Sequence, residues 1–236
     1  MQAAGPACTN REVGGGRFSL SLSITTFFPM NRFLRLPALA LLGLSLATTA
    51  CKKEEGLQVQ PHDQSTQMTI MHDMMKMMDA MKPTGDPDND YAMMMIMHHQ
   101  GAINMSQEEL KSGADADMKA MAQSIITAQQ KEIAQFQAFL TSHPAQAPAV
   151  PDFSALQMAN MMRMSQANDL RPLTGNPDFD FAQLMVDHHR SAIENSDAVL
   201  KYGRQATTKA LAQQIIDEQK SEITMLQTWL LNHKPY

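Results

Sequence analysis

The stretch MMMIMHHQGAINM (Met93–Met105) decides how this chain is read, because LMVDHHRSAIEN (Leu184–Asn195) writes the same pattern a second time. The two histidine pairs, His98-His99 and His188-His189, stand 90 positions apart. The same offset relates Gly85 to Gly175, Pro87 to Pro177, Asp90 to Asp180, Gly113 to Gly203 and His143 to His233, with no insertion between. A gapless offset over this length means two tandem copies of one supersecondary unit. The proline-rich stretch from His143 to Pro151 joins them.

Each copy reads as about three helices. Met68 to Met81 contains neither Gly nor Pro and runs into Lys82-Pro83. A second helix is predicted from about Asp88, with acidic residues in its first turn to suit the positive helix N-terminus, to about Lys111 before Gly113. A third is predicted from about Asp115 to Thr141. Its apolar residues Met118, Met121, Ala122, Ile125, Ile126, Ile133, Phe136 and Leu140 recur at spacings of three and four. Strand alternation is absent. The predicted fold is all-α, a helical bundle of two repeats over residues 67–142 and 153–236, joined by a linker at 143–152.

The N-terminal region has a different character. Residues 31–51, NRFLRLPALALLGLSLATTAC, have a basic start, a short apolar middle and small residues before Cys51, the pattern of a signal peptide. The apolar run is shorter than the ~20 residues a membrane-spanning helix needs. A cysteine at the cleavage point resembles a bacterial lipoprotein signal, although Thr48 stands where such signals more often carry Leu. The expectation is a signal over 30–50, a lipid on Cys51, a flexible tether over 51–66, and an envelope location facing the periplasm. Residues 1–29 then lie upstream of the true start at Met30. Without residues 1–50 the chain carries 15 basic and 23 acidic residues, a net of −8 with histidine neutral. That acidity argues against nucleic acid as a partner.

Positions three and four apart share a helix face. Met95 lies three before His98 and four before His99, Met185 stands in the same relation to His188 and His189, and Met94 is four before His98. One face therefore offers thioether sulfur beside imidazole nitrogen. Thioethers suit Cu(I), and imidazole suits copper, zinc, iron and nickel. The chain has 22 methionines, and Met68, Met71, Met74, Met75, Met77, Met78 and Met81 crowd the first helix together with His72. Two readings stand: adaptable core filling, or soft-metal capture, which the spread over more than one face favours. Taken singly, Met121, Met158 and Met225 read as core. Glu132 and Glu222, each three after Gln129 or Gln219, are placed to reach a histidine on a neighbouring helix. Such a contact either orients an imidazole ligand or simply satisfies buried polar groups.

No Glu-x-x-His di-iron motif, phosphate loop, Gly-x-Ser-x-Gly or His-Glu-x-x-His is present. Beyond Cys51 there is no cysteine, so thiol catalysis is excluded for the processed chain. Nothing here argues for an enzyme or an organic cofactor.

At MMMIMHHQGAINM, with Gln129-x-x-Glu132-Ile133 and the apolar end from Phe136 to Leu140, the chain resembles the bacterial domain of unknown function numbered 305, over both copies from about Asp88 to Trp229-Leu230. The resemblance implies a ferritin-like helical bundle in the bacterial envelope, some of whose members are associated with copper binding and copper resistance. Carried onto this sequence, it points to His98, His99, His188 and His189, with Met94, Met95, Met97, Met105 and Met185 as soft partners. His72, Met71 and Met75 join them from the first-helix cluster. The second copy departs from this pattern, with Gln183, Asp187 and Asn195 in place of Met93, Met97 and Met105. The expected function is a lipid-anchored envelope protein that binds a copper ion, alone, as a homo-oligomer or with a copper-handling partner. The alternative is a helical scaffold or interaction module with a methionine-rich surface.

Overall fold

The computed structural model describes residues 59–234. The signal segment, Cys51 and the first half of the tether, to residue 58, lie outside the described residues. Six helices follow a short 3-10 turn at His62–Gln64: α1 (Thr66–Asp79), α2 (Pro87–Ser112), α3 (Ala116–Ser142), α4 (Pro151–Asp169), α5 (Pro177–Tyr202) and α6 (Ala206–Asn232). Among the described residues there is no strand, only an isolated bridge between Gln60 and Leu173, and no helix long and apolar enough to cross a membrane. The all-α bundle of two three-helix repeats is thus the observed architecture. The offset of 90 holds at both ends of α2 and α5 and of α3 and α6. The first helix stops at Asp79 rather than Met81, because the residue before Pro83 is pushed out of helical geometry.

The entrance to each central helix is built the same way twice. Gly85 and Gly175 take positive φ, 84° and 76°, a conformation glycine adopts without steric cost. Asp90 then accepts hydrogen bonds from the Thr84 and Gly85 backbone at 2.6 and 3.0 Å, and Asp180 from Thr174 and Gly175 at 2.9 and 2.8 Å. Pro87 and Pro177 occupy the first helical turn, where a missing N–H costs nothing.

Helices α2 and α5 lie antiparallel at the centre, α3 and α1 pack on α2, and α6 and α4 pack on α5. Two carboxylates clasp the repeats together. Asp88, in the first turn of α2, accepts from the backbone N–H of Arg204 at 2.7 Å and of Gln205 at 3.2 Å, and from the Thr208 hydroxyl, at the start of α6. Asp178, its equivalent in α5, accepts from the N–H groups of Ala114 and Asp115 at the start of α3, at 2.9 and 2.8 Å. Each repeat thereby caps a helix of the other, satisfying N–H groups that a helix start leaves without partners.

The exchange is not quite symmetric. Glu109, fully buried beside Asp178, occupies the position that Val199 takes in the second repeat. Burial, and then the neighbouring Asp178, push its carboxyl up to about 8. Neither Glu109 oxygen has a hydrogen-bond partner, so burial beside the Asp178 carboxylate favours the neutral, protonated form. Folding therefore takes up a proton at this site. Its contribution to stability is complete below the ordinary glutamate range and is lost as pH rises toward 8. Glu109→Gln, neutral at every pH, is expected to flatten the decline in stability between pH 5 and 8.5. At pH 8.5 it should exceed the parent by about 1–3 kcal/mol, the cost of an unsatisfied buried group. Urea denaturation at a series of pH values measures this, and parallel curves for the two proteins would sink it.

Candidate metal centre

The two histidine pairs meet where α2 crosses α5. His98 and His188 are fully buried, and their rings stack with centroids 3.7 Å apart, tilted by 36°. His98 Nε2 lies 2.8 Å from the Ser191 hydroxyl. The same hydroxyl stands 3.3 Å from the Met164 sulfur and 3.7 Å from the Met161 sulfur, and Asn195 Nδ2 is 3.5 Å from Met161. An imidazole of the first repeat is thus gathered with two thioethers of the second around one serine. In the first repeat Gly101 holds the place of Ser191, and a methyl group there would overlap the sulfur of Met74, the equivalent of Met164. The missing side chain at 101 is what lets the α1 thioether reach the surface of α2.

His99 and His189 serve differently. His99 Nε2 is 2.9 Å from Glu132 on α3, and His189 Nε2 is 2.8 Å from Glu222 on α6, in both cases with the carboxylate off the N–H axis of the ring. Both imidazoles are fully buried, as is Glu132, whereas Glu222 keeps some exposure. The interhelical His–Glu pairing predicted from the spacing is therefore present in both copies. The buried amides of Gln129 and Gln219 have no protein partner.

What separates the first histidine of each pair from the second is the absence of a carboxylate. His98 Nδ1 and both ring nitrogens of His188 are buried without a hydrogen-bond partner. Burial, followed by the neighbouring imidazoles, holds His98 and His188 well below the usual histidine range, so both rings are neutral at pH 7. A neutral imidazole keeps a lone pair for a cation.

The other predicted residues are spread around this point. Met94, Met95, Met105, Met185 and Met71 are buried in the core, while Met97 and Met75 are partly buried. His72 is exposed and reaches Asp169 on α4 at 2.9 Å, away from the stacked rings. Met158 and Met225, which read as core when taken singly, are 43% and 47% exposed. Local spacing missed Met161 and Met164, because they reach the centre from a helix distant in sequence. The repeat carried a signal for them: only the pairs Met68/Met158, Met71/Met161, Met74/Met164 and Met95/Met185 keep methionine at the 90-residue offset.

Among the described residues no group of three or more His, Cys, Asp and Glu side chains is placed to hold a metal ion. A cation site here needs the thioethers. That donor set excludes the geometry of structural zinc and carboxylate di-iron sites and fits a soft cation.

Comparison with solved structures gives a secreted DUF305 protein of Streptomyces coelicolor, 20% identical, aligned over 64% of this chain and 95% of that one with a TM-score of 0.51. It gives also CopM in the Cu(I)-bound form, 24% identical over 61% and 96% of the two chains with a TM-score of 0.47, and CopM in the Cu(II)-bound form, 25% identical over 61% and 96% with a TM-score of 0.48. Comparison with curated proteins gives no match. The profile of the family described as "Domain of unknown function (DUF305)" matches residues 39–140 and again 141–230. The chain therefore belongs to the DUF305 family, whose unit it carries twice in tandem.

Proposed function

We propose that this protein binds copper as cargo, at the stacked imidazoles of His98 and His188 and the thioethers that surround them, in an envelope compartment to which a lipid on Cys51 tethers it. The observation that carries the reading is the set of three buried ring nitrogens without hydrogen-bond partners on His98 and His188, with His98 linked through the Ser191 hydroxyl to the sulfurs of Met161 and Met164. Buried polar atoms in native proteins are nearly always paired, and an exception asks for a partner such as an ion. Neutral imidazole and thioether are the donors that Cu(I) accepts, and imidazole also serves Cu(II). His99 and His189, held by Glu132 and Glu222, pack the crossing and keep the neighbouring rings in place. The signal-like segment ending at Cys51 supports the envelope location. In an oxidising compartment thioethers form no disulfides, although sulfoxidation remains their liability.

The test is an anaerobic Cu(I) titration of the chain with Cys8 and Cys51 changed to Ser, against a chromogenic competing chelator. At least one equivalent is expected to bind, with the thermal transition raised; saturation at 1,000 times Kd corresponds to about 4 kcal/mol. No binding against the competitor, together with a thermal transition indifferent to Cu(I), would return the methionines to packing and favour the scaffold reading.

A further inference from the structure

Outside the buried centre, the seam between α1 and α4 holds a second collection of sulfur. A cleft of about 40 Å³ is lined by the six methionines Met75, Met78, Met81, Met94, Met158 and Met161 together with Asp79, Pro83, Ser154 and Gln157. A water needs roughly 10–15 Å³ of such space, so the cleft has room for one ion. Met158 is 43% exposed and Met75 and Met81 are only partly buried, so the cleft opens to solvent.

Packing alone does not account for this composition. At the 90-residue offset, Met75, Met78, Met81 and Met94 correspond to Ser165, Asn168, Arg171 and Leu184, and only Met158 and Met161 keep methionine, as Met68 and Met71. The same fold is built on the other side with a serine, an asparagine and an arginine at those positions. That side carries a cation of its own, Arg171, paired with Asp187. The sulfur is concentrated on one side of the pseudo-symmetric bundle, where a single carboxylate balances one positive charge.

We infer that this cleft is a methionine-dominated site that takes a soft monovalent cation, Cu(I) or Ag(I), from solvent and passes it through Met161 to the buried imidazoles. Met161 is the link because it lines the cleft and also stands beside Ser191 and Asn195, at 3.7 and 3.5 Å, in the His98 centre. Transfer is an exchange of ligands: each thioether released on the outer side is replaced by one on the inner side, with no change in oxidation state. A lining dominated by thioether sulfur, with no imidazole, selects the soft monovalent ions over Cu(II) and Zn(II). The cleft therefore sets the oxidation state of what is loaded. The capture step stands on the cleft alone; the hand-off rests on the copper reading given above.

The experiment uses the chain with Cys8 and Cys51 changed to Ser, labelled with 13C at the methionine methyls and 15N in the histidine rings, and titrated with silver nitrate. The methyls of Met75, Met81 and Met158 are expected to shift with Ag(I) and not with Zn(II), and the ring signals of His98 and His188 to follow. In Met75→Leu/Met81→Leu/Met158→Leu, which keeps near-native volume and retains Met161, the buried rings should reach the same final affinity several-fold more slowly. Cleft methyls that stay silent while the buried rings load at the parental rate would overturn the proposal and leave the copper reading intact. Cleft methyls that shift while the buried rings never respond would keep the capture site and remove the hand-off together with the centre it feeds.

Discussion

Changing His98 and His188 together to leucine is expected to lower Cu(I) affinity by on the order of 100-fold or more. Loss of groups that merely orient metal ligands already costs about 10–100-fold, and here two imidazole donors disappear at once. The fold should survive. Both rings are fully buried and three of their four nitrogens lack protein partners, so apolar replacements of similar volume remove unsatisfied polar atoms rather than bonds. The thermal transition of the apo protein should therefore stay within a few degrees of the parent or rise, while copper no longer moves it. His99→Leu is expected to give the opposite pattern. It leaves the Glu132 carboxylate, only 3% exposed at its side chain, buried with no imidazole opposite. Leaving a buried polar group without its partner costs about 1–3 kcal/mol, and copper affinity should fall far less than in the leucine double variant. Competition titration and urea denaturation of both proteins separate the two roles. Equal loss of copper affinity in the two variants would refute the division of labour within each histidine pair.

Asp88→Ala is expected to be the most destabilising single change at the junction of the repeats, by about 3–5 kcal/mol. Asp88 is 1% exposed and receives two backbone N–H groups and the Thr208 hydroxyl. Hydrogen bonds to a charged group each contribute about 1.5–3 kcal/mol, and their loss is not additive. Helix α6 has no capping side chain of its own, so nothing local replaces the lost acceptor. Asp88→Asn retains one carbonyl oxygen and should lose about half as much. Asp178→Ala, at the equivalent place, should cost less than Asp88→Ala, because it leaves α3 its own cap at Asp115. Urea midpoints at pH 7 order the three variants, and an Asp178 variant weaker than the Asp88 variant would contradict this account. The same clasp explains Gly203: a Cβ there would lie 2.8 Å from Asp88 Oδ1.

Much of this was legible in one dimension. Helix type, helix number and the two-copy architecture follow from spacing and offset, which depend only on the order of residues along the chain. The partnership of His99 with Glu132 and of His189 with Glu222 was also within reach, because both residues of each pair belong to one repeat and the pair is written twice. Spacing on a single helix offered Met94 and Met95 as companions of His98. The sulfurs that converge on Ser191 beside that ring come instead from α4 of the other repeat. Adjacent residues on a helix point about 100° apart, so a histidine pair necessarily faces two neighbours. Which ring meets a carboxylate and which meets the opposite repeat depends on how α2 and α5 cross.

By itself, then, the order of residues determined an all-α fold of two copied units, and the residue types from which a soft-metal centre would be drawn. The antiparallel crossing of α2 and α5 stacked His98 on His188 and set Met161 and Met164 of the second repeat around the serine that His98 meets. The packing of α1 on α4 gathered the unpaired methionines of the first repeat into one cleft with Met158 and Met161. Those choices belong to tertiary structure because a ligand set drawn from helices tens of residues apart has no period along the chain; it exists only once the helices have packed.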